Sequence, residues 1–313
     1  MIVFLAIANL FWLITLISWT FIIIKGPGKL PLKILPYDLS YFVRNGESFG
    51  NSKDSNSTES FDMLTSLSSS THVLNTNTIS PPEMFECDFN GLPYWCFQCS
   101  SLKPLRSHHS SVTNTCIPMF DHFCTFVGFT IGKDNFYSFI SFVLSMEILL
   151  LFTCITIIIY SGIKNQLHSA LIVFIICTGI LAILVGNLFL NLIYDLKKGE
   201  TNIESMGKKR WIKDIKINES SIYSNFINVQ HPNNPKLRLI VKLSPMDRPY
   251  DKGFWNNLLL WNTDFNKFTS SIEISEFQNS MFSNQFKKNI MDRIDHGDYV
   301  VFGSQTKLMS VKL

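Results

Sequence analysis

Residues Phe136–Tyr160 read FYSFISFVLSMEILLLFTCITIIIY, 25 positions with a single charge, Glu147. As a helix this stretch is roughly 37 Å long, more than the ~30 Å hydrocarbon core of a bilayer. Two other stretches read the same way. Ile2–Ile24 has 23 residues and no charge, and Ala170–Tyr194 has 25, uncharged, with Asn187 and Asn191 near its end. Together they predict a mainly α membrane protein with transmembrane helices at 2–24, 136–160 and 170–194. A cleavable signal peptide is the alternative for the first stretch. No basic segment precedes it, its apolar run is long and no small-residue cleavage site follows Ile24.

The rest of the chain is read outward from these spans. Charged residues make up 16% of the 313, against roughly 25% in ordinary soluble domains. That shortage, gathered into three blocks, excludes a simple soluble globule, a disordered chain and a disulfide-rich secreted domain. A net charge of +3 is too mild to argue for a nucleic-acid partner. Basic residues follow the first span (Lys25, Lys29, Lys33, Arg44) and the third (Lys197, Lys198, Lys208, Lys209, Arg210), whereas the turn after the second holds Lys164 alone. The positive-inside rule then predicts a multi-pass topology with a luminal N-terminus. Residues 25–135 and the tail 195–313 lie in the cytosol, and 161–169 form a luminal turn. In the loop 25–95, Gly46–Ser80 holds 19 Ser, Thr or Asn among 35 residues, too polar for a core and expected to be a disordered linker. Its Asn56-Ser57-Thr58 sequon is cytosolic on this reading and so unglycosylated. The tail mixes polar and apolar residues, as short helices and strands would.

Five of the seven cysteines fall within the 38 residues from Cys87 to Cys124, a density that points to metal or thiol chemistry rather than paired bridges. Cys96-x2-Cys99, His109 and Cys116 make a Cys3His set. Tetrahedral Zn2+ is its usual occupant, and a closed four-ligand shell marks a structural site. Free cytosolic thiols beside unrelated histidines are the alternative. Downstream, Asp121-His122-Phe123-Cys124 offers a thiol, an imidazole to take its proton and a carboxylate to orient that imidazole. A buried cysteine beside surface polar groups is the other reading, since convergence over so few residues calls for a tight turn. Position favours chemistry. Cys124 lies 12 residues before Phe136, where a nucleophile can take an acyl group whose tail stays in lipid, a gain of roughly 0.8 kcal/mol per CH2.

These residues resemble the Asp-His-His-Cys family of protein S-acyltransferases, usually called palmitoyltransferases. The similarity runs through Cys96-x2-Cys99-x3-Lys103-Pro104-x-Arg106-x-His108-His109, then Cys116, Asp121-His122-x-Cys124 and Gly132-x2-Asn135-x3-Phe139. Gly26-Pro27-Gly28-x2-Pro31 is similar to the stretch after the family's second span, and Thr201-Asn202-Ile203-Glu204 to its Thr-Thr-x-Glu motif. Pro249-Tyr250-Asp251-x-Gly253-x3-Asn257 resembles its C-terminal element.

The resemblance implies a cysteine-rich domain at 96–135 and transfer of a long-chain acyl group from acyl-CoA, palmitoyl-CoA above all, to accessible cysteines of cytosolic or membrane-associated proteins. Cys124 would carry the acyl group, His122 act as base and Asp121 orient it. Family members hold two zinc ions. The first set falls on Cys96, Cys99, His109 and Cys116, all present; the second falls on Ser110, Thr113, Phe123 and Thr130, none of them a match. One structural zinc is therefore expected, with Phe123, Phe126 and Phe129 packing where the second shell is lost. Thr125-Phe126 stands where the family has Pro-Trp. Lys103 and Arg106 are candidates to meet CoA phosphates or to be solvated surface, and His108 is secondary to His109. The family has four spans, and Ile2–Ile24 corresponds to the second, so the first is expected to be missing from this sequence or lost upstream of its start. A membrane-anchored zinc module that transfers nothing and a thioester hydrolase are the competing readings. Glu147 is a candidate site residue or a bundle-facing hydrogen bonder. Asn187 and Asn191 read as glue between helices, Cys154 and Cys177 as small apolar fillers, and Cys87 as a free thiol.

Overall fold

A computed structural model describes residues 2–30, 33–43, 78–104, 106–164, 169–218, 225–262 and 271–303. Pro31, Arg44, the greater part of the Ser/Thr/Asn-rich linker with its sequon, and positions 165–168 of the turn expected to be luminal lie outside them. The chain forms two compact units, each assembled from three stretches.

The first unit comprises Met1–Lys29, Ser110–Met206 and Asp251–Thr263. Its frame is three long helices, α1 (Ile2–Lys25), α2 (Phe136–Lys164) and α3 (Ser169–Lys198). All three are long and apolar enough to cross a membrane. The helices exceed the apolar stretches because their flanking lysines continue the last turn. α1 meets α2 through hydroxyl pairs, Thr15 Oγ1 to Ser145 Oγ at 2.9 Å and Ser18 with Ser141 at 2.9 Å. α2 meets α3 through Cys154 Sγ and Thr178 Oγ1 at 3.0 Å, so Cys154 is a hydrogen-bonding partner as well as a filler. Glu147 of α2 faces the gap left by Gly186, where a Cβ would come within 3.1 Å of its Oε1.

Two junctions tie these helices to the chain that follows. Asn135 is fully buried just before α2. It donates to the carbonyls of Ile22 (3.3 Å) and Thr130 (2.9 Å) and accepts from Gly132 N–H (3.0 Å). Any side chain at Gly132 would strike the Pro27 carbonyl, 2.5 Å from a Cβ there. At the other junction α3 stops in a Schellman turn. Gly199 takes φ 66°, with Gly199 N–H bonding Leu196 O and Glu200 N–H bonding Asp195 O. Thr201 then starts α4 (Asn202–Asn218).

A short helix, α5 (Phe254–Leu260), completes the unit. Asn257 Nδ2 donates to Leu196 O at 2.9 Å, Tyr137 Oη to Leu258 O at 2.7 Å, and Trp261 stacks on Phe136 with ring centres 3.6 Å apart.

The second unit comprises Leu30–His109, Gly207–Tyr250 and Asp264–Leu313. Its core is an antiparallel sheet of β1 (Met84–Cys87), β8 (Phe226–Gln230), β9 (Arg238–Lys242) and β10 (Val300–Val301), in that order. Cys87 sits in β1 with no exposure and pairs with Phe226; burial pushes its thiol well above the usual range, followed by the charges of Asp88 and Glu86. It is packing. Arg238 is buried on β9, its Nε on Asn228 Oδ1 and its Nη2 on Pro82 O at 2.8 Å, which satisfies the charge in place. Helices α6 (Ser271–Met281) and α7 (Asn284–Asp295) follow. The α7 side chains Phe286, Ile290 and Ile294 recur every four residues and are buried together.

Candidate active site

The cysteine-rich stretch folds as three small hairpins. The first, β2 (Trp95–Cys96) with β3 (Ser101–Leu102), turns through Cys96-x2-Cys99; the second, β4 (His108–Ser110) with β5 (Thr115–Ile117), carries His109 and Cys116. Cys96 Sγ lies 3.5 Å and Cys99 Sγ 3.4 Å from His109 Nδ1, and one ligand atom from each of the four residues falls within 4.8 Å of the others. In a tetrahedral Cys3His zinc shell neighbouring donors sit roughly 3.5–3.8 Å apart. The donor chemistry and spacing fit a metal ion.

At the second set of positions, the Thr113 and Thr130 hydroxyls are buried and make no hydrogen bond, while Phe123 is 43% exposed. Phe126 is 87% exposed. These two rings therefore do not pack into the place of a second metal shell, contrary to the expectation from sequence.

The third hairpin is β6 (His122–Cys124) with β7 (Phe129–Ile131), registered His122 to Ile131 and Cys124 to Phe129. Its turn closes with Gly128 N–H on Cys124 O at 2.9 Å. Side chains alternate along a strand, so His122 and Cys124 share one face and Phe123 takes the other. The convergence that seemed to demand a tight turn comes from this alternation. Phe139 of α2 meets the imidazole edge-on, with ring centres 5.3 Å apart.

Asp121 is buried and uses both carboxylate oxygens. Oδ2 accepts from His122 Nδ1 at 2.7 Å, and Oδ1 accepts from the backbone N–H of Asn202 at 2.8 Å. With Nδ1 committed, Nε2 is the nitrogen left for the thiol. Burial alone would lower the His122 pKa, but hydrogen bonds to Asp121 and Cys124, with their charges, raise it to about 9. Burial likewise pushes the Cys124 thiol up. The bond to His122, the Val127 N–H, the His122 charge and the Phe126 N–H outweigh that and hold it below the usual thiol range. Both shifts favour the thiolate and imidazolium forms over the neutral pair. Alkylation of Cys124 by iodoacetamide should then show its inflection below that of an ordinary cysteine. His122→Ala should move that inflection upward and cut the rate at pH 7; an unchanged profile would remove His122 from the site.

The Thr-Asn-Ile-Glu motif acts through a helix cap. Thr201 Oγ1 accepts from Glu204 N–H at 3.3 Å, and Glu204 Oε2 accepts from Thr201 N–H at 2.8 Å. This reciprocal capping box fixes the first turn of α4 and leaves the N–H of Asn202, at its first position, for Asp121. The side chain at 202 is irrelevant to that bond, so Asn in place of Thr costs nothing there. Asn202→Ala should keep full acylation activity. Asn202→Pro suits the first helical position but deletes the N–H. It should slow acylation about tenfold to a hundredfold, from the ~1.5–3 kcal/mol of a bond to a charged group. Steady-state rates of the two variants decide it.

The profile of the DHHC palmitoyltransferase family matches residues 90–209, the stretch that holds all three hairpins and the helix cap. Residues 90–209 are a DHHC palmitoyltransferase domain. Palmitoyltransferase PFA5 of Kluyveromyces lactis is 26% identical, the match covering 96% of this chain and 82% of that protein. Palmitoyltransferase PFA5 of Saccharomyces cerevisiae is also 26% identical, over 89% of this chain and 76% of its own length. That of Candida glabrata is 33% identical over 53% of this chain and 47% of its own. Within this DHHC domain the motif reads Asp121-His122-Phe123-Cys124, and the substituted position is the one that points away from the nucleophile.

Outside the hairpins, two candidates change meaning. Arg106 is buried with its guanidinium 4.6 Å from the centre of the Tyr250 ring. It packs the C-terminal element and is not on offer to CoA phosphates. Tyr250 Oη bonds Glu86, and its ring stacks on Phe282. Sequence reasoning assigned the Pro-Tyr-Asp element no such role, and nothing in residue order signals this pairing across the second unit.

Proposed function

We propose that this DHHC palmitoyltransferase works by a two-step exchange at Cys124. The supporting observation is the hairpin face that joins Cys124, His122 and Asp121 twelve residues ahead of an apolar helix of spanning length. The Cys124 proton passes to His122 Nε2. The thiolate adds to the carbonyl of an acyl-CoA thioester, and the CoA sulfur leaves with a proton from His122. In the second half a protein cysteine gives its proton to His122, attacks the Cys124 thioester and releases the Cys124 sulfur. One thioester replaces another of similar energy, so positioning and a low thiol pKa supply the catalysis.

On this reading the acyl tail lies in lipid while the CoA carrier stays in water, and the bilayer selects long chains. Cys96, Cys99, His109 and Cys116 would hold a zinc ion whose role is structural, pinning the first two hairpins. The basic flanks after α1 and α3 support a site on the cytosolic face of a multi-pass protein. Partners are acyl-CoA and proteins with accessible cysteines near the membrane.

The test is intact-mass analysis of the purified protein with palmitoyl-CoA. An adduct removed by hydroxylamine and discharged onto a cysteine-bearing acceptor is the expected result. An adduct discharged only to water as free fatty acid would mean a hydrolase, and no adduct with no transfer would mean an inert zinc module.

A further inference from the structure

Between Lys197 and Lys216 the chain carries seven Lys or Arg against Glu200, Glu204 and Asp214, whereas the whole sequence has 27 against 24. The fold of α4 sorts this surplus onto one side. At 100° per residue Lys209, Arg210, Lys213 and Lys216 fall within about 120° of one another, with no carboxylate in that arc. All four are exposed, and none makes a hydrogen bond or ion pair among the described residues. Trp211, on the other side of α4, is buried, so packing holds the helix with its cations outward. Lys209 and Lys213 stand four residues apart and Lys213 and Lys216 three, spacings at which like charges destabilise a helix. Nothing within the chain offsets that repulsion.

We infer that this face of α4 lies on anionic phospholipid headgroups, which supply the missing counter-charge. Place and shape both select lipid. α4 starts four residues after Lys198, the basic end of α3. Lys216 stands 14 residues further on, roughly 21 Å along the helix. A helix of that length running along the surface keeps all four cations in the headgroup layer, which adds about 5–7 Å to each side of the hydrocarbon core. Clustered basic side chains next to a spanning helix are what an anionic leaflet attracts. A soluble phosphate is met by groups that converge on it, whereas cations spread along a convex helix face match a sheet of charge. Met206, exposed within the same arc, adds one apolar side chain to set among the headgroups. The inference rests on α3 crossing a membrane and is independent of the acyl-transfer reading.

The full chain in nanodiscs provides the test, with lysine amines methylated by formaldehyde and a reductant and read peptide by peptide by mass spectrometry. In discs of phosphatidylcholine with phosphatidylserine, Lys209, Lys213 and Lys216 should react about fivefold more slowly than in phosphatidylcholine alone. Lys236, Lys242 and Lys288, exposed elsewhere in the chain, should keep their rates. Salt near 1 M, where the Debye length is about 3 Å, should erase the difference. Equal rates in the two discs, or equal slowing of all six lysines, overturns the inference. Protection by inorganic phosphate or coenzyme A in phosphatidylcholine discs would assign the face to a soluble phosphate and overturn it as well. Lys209→Gln, Lys213→Gln and Lys216→Gln together should cut the phosphatidylserine retained through detergent purification by about fivefold. The same loss of charge at Lys236, Lys242 and Lys288 should leave it unchanged; equal retention by the two variants also overturns the docking. Acyl-adduct formation at Cys124, measured on the same samples, reports separately on the chemistry.

Discussion

Cys124→Ala should abolish hydroxylamine-labile acylation of the protein and acyl transfer to any acceptor, a loss of roughly a thousandfold or more. The reason lies in the hairpin. Cys124 is the buried thiol that shares a strand face with His122 and is held below the usual thiol range. Among the described residues the other cysteines are four-ligand partners, strand packing or side chains of α2 and α3. Cys96 and Cys99 do meet an imidazole, that of His109, but as fellow members of the four-ligand set. The substitution removes one sulfur from a strand whose register is set by backbone bonds to β7, so metal content and thermal stability should match the parent. Label that persists at the parent level in Cys124→Ala would end the acyl-enzyme mechanism. Loss of label with loss of metal would instead mean a folding defect, and Cys124→Ser then separates the two.

Cys96→Ser should have the largest effect on stability. A structural zinc contributes about 10–16 kcal/mol of apparent binding energy to a small domain, comparable to the whole stability of an ordinary one, ~5–15 kcal/mol. The hairpins have little else to hold them. β2 and β3 are two residues each and β4 and β5 three each, far short of a self-supporting sheet. Parent protein should contain close to one zinc per chain. Strong chelation or Cys96→Ser should bring that to zero, open the domain to protease and stop acylation, although Cys96 touches no reacting atom. Two zinc ions per chain would refute the single-shell reading, and a stable, active metal-free protein would refute the structural role.

Much of this was legible before any fold was known, for local reasons. A run of 25 apolar residues declares a spanning helix because lipid tolerates nothing else at that length. Cys96-x2-Cys99 with His109 and Cys116 declares a metal set because four soft donors seldom gather otherwise. Gly199 after two lysines marks the end of α3, since a glycine in the left-handed region is what a helix needs to stop.

Other assignments failed where distance along the chain hid the partner. Arg106 looked like a cation for phosphates and is buried against Tyr250. Phe126 looked like filling for a lost metal shell and stands exposed. Asn187 and Asn191 read as glue between helices, yet both stand exposed on α3. Asn202 looked like a side-chain substitution, yet its contribution is a backbone N–H to a carboxylate 81 residues away.

Residue order by itself thus determined which segments are long and apolar enough to enter lipid, which four side chains form a candidate metal set and which thiol is proposed as the nucleophile, because each depends on composition and spacing over a few turns. Tertiary structure alone decided which groups surround the imidazole beside that thiol. Asp121 can orient His122 because the cap of α4 supplies its second hydrogen bond, and a bond between groups so far apart in the chain exists only once α3 has turned at Gly199 and brought the start of α4 back to the hairpin.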